Sequence, residues 1–466
     1  MILERFAKNI KSGNVVAQLS AGLIGERIPI HGPFGEKELI YADYTASGRA
    51  LRQIEEFILS EVLPYYANSH TEASYCGAFI TGLREQAREL IADQVNADDD
   101  CTVIFTGSGA TSAINRLVAL SGIADISGDE TPVVLVGPYE HHSNILPWRE
   151  SGAEVVDIPE GEGGGPDLEV LESKLKFYQG RPLVIGAFSA ASNVTGIVSD
   201  VDAVTRLLKR YGALACWDYA GGAPYLPIDM NPVAGPNLDA VFLSPHKFPG
   251  GPGASGLLII RDNMVRSTRP TWPGGGSVSY VSPWAHDYLD SLTEREEAGT
   301  PNVIGDVRAA LVFVIKAAIG TAFIRQRDEE LVSRAFAVWQ ENPNIEILAP
   351  NACHRLPIFS FVIRDAAGEV VHHGQVTRML SDVYGIQARG GCACAGPYGH
   401  RLLGVEKSLS EQIRRSIAAG SDDDKPGWTR LNLGYLMDDT TVDFIIESVD
   451  DLARNCATQQ KRYQQA

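Results

Sequence analysis

Between about residues 100 and 260, short apolar runs alternate with amphipathic stretches, and this alternation restricts the chain more than any other feature. CTVIF (101–105), PVVLVG (132–137), EVVDIP (154–159), PLVIGAF (182–188), ALACWD (213–218), DAVFLS (239–244) and GLLII (256–260) read as seven buried strands. Between them, DLEVLESKLKFY puts Leu168, Leu171 and Leu175 on one helix face. SDVDAVTRLLKRYG is a second helix, with Ser199 as its cap and Gly212 as its stop. Such alternation implies an α/β fold with a mostly parallel sheet covered by helices on both faces. Ligands of these sheets sit beyond the carboxyl ends of the strands, so the residues just after each run are the ones to examine.

Near residue 300 the pattern changes. A long helix (303–320) leads into PIFSFVIR (357–364), the helix-like VTRMLSDVYG (376–385), TRLNLGYL (429–436) and a final helix from Thr440. The expected organisation is an N-terminal segment (1–40) packing on a small domain, a large domain (41–302), and a smaller α+β domain (303–466). A formal charge of −18 argues against a nucleic-acid groove, which needs clustered Lys and Arg. Seven scattered cysteines argue against a disulfide framework. No apolar run reaches membrane-span length, and MILERFAKNIKSGN lacks the apolar core of a signal peptide, so a cytoplasmic location is expected.

The segment LSPHKFPGGPGASGLLII (243–260) carries the chemistry. Lys247 ends a buried strand and is followed by glycines, a position suited to Schiff-base work rather than to solubility. One strand earlier Asp218 also ends a run, where a carboxylate can keep a pyridine nitrogen protonated. FTGSGATSAINRL is a glycine-rich turn entering a helix, whose first N–H groups can bind a phosphate. EHHSN (140–144) adds His141 at a strand end, where it could stack on a ring. Each signal alone is weak. Their ordered set points to pyridoxal 5′-phosphate.

On YADYTAS, GATSAIN, EHHSNILPW, ASNVTG, SPHK, GGGS, EEAGTPN and RGGCAC, the chain resembles the class-V aminotransferases. Within them it is similar to the group II cysteine desulfurases, of the selenocysteine lyase and molybdenum-cofactor sulfurase type. The resemblance runs from residue 41 to 445 and implies the type I fold of pyridoxal phosphate-dependent transferases. It implies that Ala110 and Thr111 hold the phosphate with help from Ser244 and His246, that His141 stacks on the ring and assists proton transfer, and that Asp218 pairs with the ring nitrogen. It implies that Asn193 meets the ring oxygen or the substrate carboxylate, that Lys247 forms the Schiff base, and that Arg430, with Arg389 nearby, binds the carboxylate. Thr300 would reach the phosphate of a neighbouring subunit, which implies a homodimer with shared sites. An ordinary ion pair is the other reading of Arg430, and solvated loop residues that of His372 and His373.

RGGCAC (389–394) bears on the reaction. Related desulfurases place a nucleophilic cysteine five residues after an arginine, which from Arg389 is Cys394, with Gly390 and Gly391 giving its loop freedom. The resemblance then implies a persulfide on Cys394, alanine as product, a small amino-acid substrate such as cysteine, and a sulfur-acceptor protein. The chain departs from the pattern at Cys392, at Gly221, where glutamine is frequent, and around His70. Other readings stay open: a C–S lyase, an epimerase or aminotransferase without a cysteine nucleophile, and a non-enzymatic cofactor-binding partner in sulfur transfer. Two inert, buried cysteines are a further reading. A metal site of Cys392, Cys394 and His400 lacks an evident fourth ligand, so no metal is expected.

Overall fold

The computed structural model describes residues 2–11, 13–69, 71–126, 131–352, 354–420 and 425–465; His70 and Cys353 lie outside them. All seven apolar runs are strands of one sheet: β1 (Cys101–Gly107), β2 (Val133–Val136), β3 (Glu154–Asp157), β4 (Val184–Ser189), β5 (Leu214–Asp218), β6 (Ala240–Leu243) and β7 (Gly256–Arg261). Their order is β1-β7-β6-β5-β4-β2-β3. Strands β2 to β6 pair in parallel. Strand β7 runs antiparallel to both β6 and β1, because the segment that carries Lys247 returns to the sheet without a crossover helix. Among the helices around it are α1 (Tyr75–Gln94), α2 (Gly109–Leu120), α3 (Leu168–Phe177), α4 (Val201–Arg210) and α5 (Val303–Ile319). Two helix details differ from expectation. Asp200, not Ser199, caps α4 through its contact with Ala203 N, while Ser199 Oγ donates to Ser189 O at 2.8 Å. Leu168 opens α3 and is exposed, leaving Leu171 and Leu175 to make the buried stripe.

The chain divides into two compact units, Met1–Leu23 with Ser47–Ala190 and Ser199–Thr321, and Ile24–Ala46 with Ala191–Val198 and Ala322–Ala466. This departs from the linear division expected above. Helix α5 belongs to the first unit, since it is apolar almost all round and packs on α1 and on the helix Ile2–Ile10. The N-terminal helices go with it, and only the stretch from Ile24 joins the second unit. Within the first unit the EEAGTPN segment is anchored by Glu297, which accepts from Arg84 at 2.7 Å, Arg88 at 2.8 Å and Phe105 N at 2.8 Å.

The second unit holds an antiparallel sheet of β8 (Ile345–Ile347), β9 (Ile358–Arg364), β10 (Val370–Val371), β11 (Arg389–Gly391) and β12 (Trp428–Asn432). Helices α6 (His373–Tyr384) and α7 (Asp439–Arg454) cover it over a core that includes Trp339, Phe359, Phe361, Leu431 and Ile445. The short segment 191–198 is held in this unit by Ser360 Oγ donating to Val194 O at 2.6 Å and Arg355 Nη2 donating to Thr195 O at 2.5 Å. That segment carries Asn193. Among the described residues no single helix is long and apolar enough to cross a membrane.

Candidate active site

In the first unit the strand ends bring together the residues expected to hold a cofactor. After β1 the chain turns through Gly107 and Gly109, at φ +82° and +60°, into the first turn of α2. Positive φ there suits glycine alone without strain. The N–H of Ala110 donates to Ser244 Oγ at 3.0 Å, so the phosphate-type turn and the residue ending β6 already touch. A Cβ on Gly109 would lie 2.8 Å from His246 Cε1 and 2.9 Å from Ser244 Oγ, so the cradle admits no side chain there. Thr111 is exposed, and its hydroxyl meets Ser143 Oγ at 2.7 Å. Ser143 in turn lies 3.0 Å from His141 Nδ1, which also accepts from Ser143 N at 3.1 Å. Accepting at Nδ1 leaves the His141 proton on Nε2.

Asp218 ends β5 almost fully buried, with Oδ1 accepting from Ala220 N at 2.7 Å. Burial pushes its carboxyl up to about 6, against the Ala220 N–H and the charge of Lys247, which both favour ionisation. Lys247 is half-buried in the turn after β6, where its N–H donates to Ser244 O at 2.9 Å. His246 beside it is brought down to about 4 by burial and by Lys247, so it is neutral at pH 7. These residues fit pyridoxal phosphate. The Gly109–Ser244–His246 cradle suits a phosphate, and a buried carboxylate with a raised pKa suits a pyridinium N–H. Gly221 offers no side chain to a ring oxygen. Thr300 is exposed beyond the Glu297 anchor.

The second unit gathers the residues expected to bind substrate and sulfur, but with different partners. Arg389 and Arg430 stand directly opposite each other on β11 and β12, where like charges repel. Asp43 resolves this by accepting from both, each at 3.0 Å. Arg430 is buried, which lowers its pKa against the pull of Asp43, and its Nη1 donates to Asn193 O at 2.9 Å. Arg430 is thus ion-paired to Asp43 within this unit. Asn193 Nδ2 donates to Ala393 O at 2.8 Å, inside the cysteine segment. Among the described residues Asn193 Oδ1 and Arg430 Nε are buried without hydrogen-bond partners, an acceptor and a donor left for a ligand to satisfy.

Residues 392–395 form a tight turn, not a loose loop. Ala395 N donates to Cys392 O at 3.1 Å, and Ala393 and Cys394 have φ +52° and +55°. Left-handed residues with side chains cost roughly 1–2 kcal/mol each, strain of a kind that concentrates at functional sites. The glycines expected to loosen the segment instead form β11. A Cβ on Gly390 would press on Thr377 Oγ1 at 2.8 Å and His373 Nδ1 at 3.0 Å, so its role is close packing of α6. That packing also takes His373 out of the solvated loop expected for it, while His372 stays exposed as the cap of α6. Among the described cysteines Cys394 is the exposed one. The guanidiniums of Arg389 and Arg430 lie within electrostatic range of it. Cys392 lines a separate, mostly apolar cavity of about 260 Å³ with Leu403, Ile413 and Trp428. His400 also lines it, and its ring nitrogens lie 2.8 Å from Gly396 O and Ser410 Oγ. Reasoning from the sequence missed Asp43, Ser143 and Glu140. All three lay inside quoted motifs, Glu140 and Ser143 flanking the histidine pair and Asp43 following the short strand Ile40–Tyr41.

A family profile described as Aminotransferase class-V matches residues 40–424. A probable cysteine desulfurase of Pyrococcus abyssi is 30% identical over 78% of this chain and 87% of its own length. One of Streptomyces coelicolor is 29% identical over 77% and 84%. Among solved structures, the cysteine desulfurase CsdA of Escherichia coli superposes with a TM-score of 0.74 at 24% identity, covering 96% of this chain and 100% of that one. The apo cysteine desulfurase of Thermococcus onnurineus also gives a TM-score of 0.74 at 24% identity, covering 90% and 95%.

The cradle yields a direct test. Gly109→Ala places a methyl group against His246 and Ser244 at a positive φ. Cofactor affinity, followed by visible absorbance on titration, is expected to fall about tenfold or more, as strain of roughly 1–2 kcal/mol implies. Unchanged affinity would show that the phosphate binds elsewhere.

Proposed function

Since the chain belongs to the class-V aminotransferase family, we propose that it is a cysteine desulfurase, taking sulfur from L-cysteine onto Cys394 as a persulfide and releasing alanine. Its fold is that of the type I pyridoxal phosphate-dependent transferases, and pyridoxal phosphate is its cofactor. The observation that carries the sulfur chemistry is Cys394 itself, the exposed cysteine of a strained turn within electrostatic reach of two guanidiniums.

When bound through Lys247, the cofactor supplies the electron sink that lets a bond to the substrate Cα ionise. Asp218, in its charged form, would hold a proton on the ring nitrogen. Arg430 takes the substrate carboxylate with a planar fork, which the charge of Asp43 keeps formed until substrate arrives. Lys247 Nζ, once released, removes the Cα proton and later returns one. The Cys394 thiolate attacks the substrate sulfur, and the Cβ–S bond breaks with its electron pair staying on carbon. That carbon takes a proton to complete alanine, and the sulfur stays on Cys394 as the outer atom of the persulfide. No external oxidant or reductant is required.

A C–S lyase would use the same residues as far as the Cα proton, then let sulfide depart unaided. One observation favours it: the Asn193 bond to Ala393 O holds the cysteine turn in place. The two readings part at the thiol. Cys394→Ser is expected to abolish alanine formation from cysteine, a loss of at least a hundredfold, while cofactor binding stays unchanged. Cys392→Ser should be milder. Full turnover of Cys394→Ser with pyruvate as product would establish the lyase instead.

We further propose a homodimer that shares its sites and passes sulfur to an acceptor protein in a reducing cytoplasm. Support comes from Thr300, exposed at the end of an anchored segment, and from the exposed apolar side chains of Leu59, Leu63, Tyr66 and Tyr75, which suit burial against a second subunit. Mixing inactive Lys247→Ala and Thr300→Ala subunits under exchange should restore part of the activity, because some sites then carry neither defect. A fully active monomer would contradict this.

A further inference from the structure

Glu140 is a charged residue placed where the sheet is least able to hold one. It follows β2 at 3% exposure, with its carboxyl folded back so closely that a Cβ on Gly137 would lie 2.7 Å from Oε1. Three donors converge on it. Ser189 N donates to Oε1 at 2.8 Å, Ser189 Oγ to Oε2 at 2.7 Å, and Asn144 Nδ2 to Oε2 at 2.5 Å. Asn144 cannot turn its amide round to suit another residue, because its Oδ1 accepts from Trp148 Nε1 at 3.1 Å.

The partners matter more than their number. Ser189 ends β4 and pairs across the sheet with Asp218, and the next N–H, that of Ala190, donates to Asp218 O at 2.9 Å. Glu140 also directly precedes His141, while Asn144 closes the short helical turn that starts at His142. One carboxyl therefore ties the turn that presents His141 to the strand end that presents Asp218. We propose that Glu140 is the positioning residue of the cofactor site, fixing His141 and Asp218 relative to each other through Ser189 and Asn144.

The electrostatics agree. Burial pushes Glu140 up to about 8, its hydrogen-bond donors oppose this, and the charge of Asp218 adds to it. Asp218 is raised less, to about 6, with Lys247 on the side of its charge. Both carboxyls are thus held against the cost of their burial by the groups around them, Glu140 by Ser189 and Asn144, Asp218 by the Ala220 N–H and Lys247. Among the described residues, Asp218 from β5 is the charged group that acts on Glu140, and Lys247 from the turn after β6 is the one that acts on Asp218.

The inference rests on the cofactor site and not on where the sulfur goes, so the test reads the cofactor alone. In Glu140→Gln, one end of the new amide meets the Asn144 NH₂ donor to donor, or meets Ser189 N the same way if flipped. The holoenzyme should then lose cofactor about tenfold faster on dilution, and the pH midpoint of the visible band of the lysine-bound cofactor should shift. Asn144→Asp in the same chain reverses the polarity of that contact and keeps the Trp148 bond. The Glu140→Gln/Asn144→Asp double variant should therefore regain most of the retention and the original midpoint, which a general loss of packing would not allow. A Glu140→Gln holoenzyme with unchanged retention and midpoint overturns the proposal, as does a folded double variant no better than the single one. Should Glu140→Gln not fold, Ser189→Ala removes one donor and must still shift the midpoint; an unshifted midpoint there also overturns it. Persulfide formation and product identity do not enter these readings, so a failed desulfurase assignment leaves them intact.

Discussion

The structure depends on a carboxylate buried where a carboxylate is costly. Asp218 sits at the end of a central strand with one backbone N–H on its Oδ1 and apolar sheet behind it. An isolated charge in that setting would neutralise. Lys247 beside it favours the charged form, as would the protonated ring nitrogen of a bound cofactor. The surrounding architecture serves that pair: strand β7 returns antiparallel so that Lys247 can follow β6, and the glycine turn after β1 brings Ala110 to Ser244.

The second unit solves a complementary problem with the opposite sign. Two arginines face each other across β11 and β12, and Asp43 makes that juxtaposition stable by lying between them. In the proposed reaction a substrate carboxylate would take the place of Asp43 on Arg430. The strained cysteine turn, pinned through Asn193, is within reach of the same two charges. The two arginines, Asp43, Asn193 and the backbone of the cysteine turn are therefore parts of one hydrogen-bonded cluster.

Much of this was legible beforehand, for a physical reason. Buried parallel strands leave continuous apolar runs, so all seven strands and the residues at their ends could be read directly, Lys247 and Asp218 among them. Caps and partners were less legible because they depend on tertiary neighbours: Ser199 looks like a cap but bonds Ser189, and Asp200 takes its place. Asn193 lies on a segment that leaves one unit to join the other, which no local pattern reveals. Helix α5 follows the large domain in the chain and was assigned to the small one, although its all-round apolarity demanded burial. The glycines of RGGCAC suggested freedom, but close packing against α6 is what requires Gly390.

The most direct test of the account is the mass of the protein after incubation with cysteine and removal of excess thiol, followed by peptide mapping with thiols blocked. The account predicts the mass of one added sulfur atom on the peptide containing Cys394, located on that residue and absent from Lys247→Ala protein treated alike. Cysteine consumed with no added sulfur on Cys394 would contradict it.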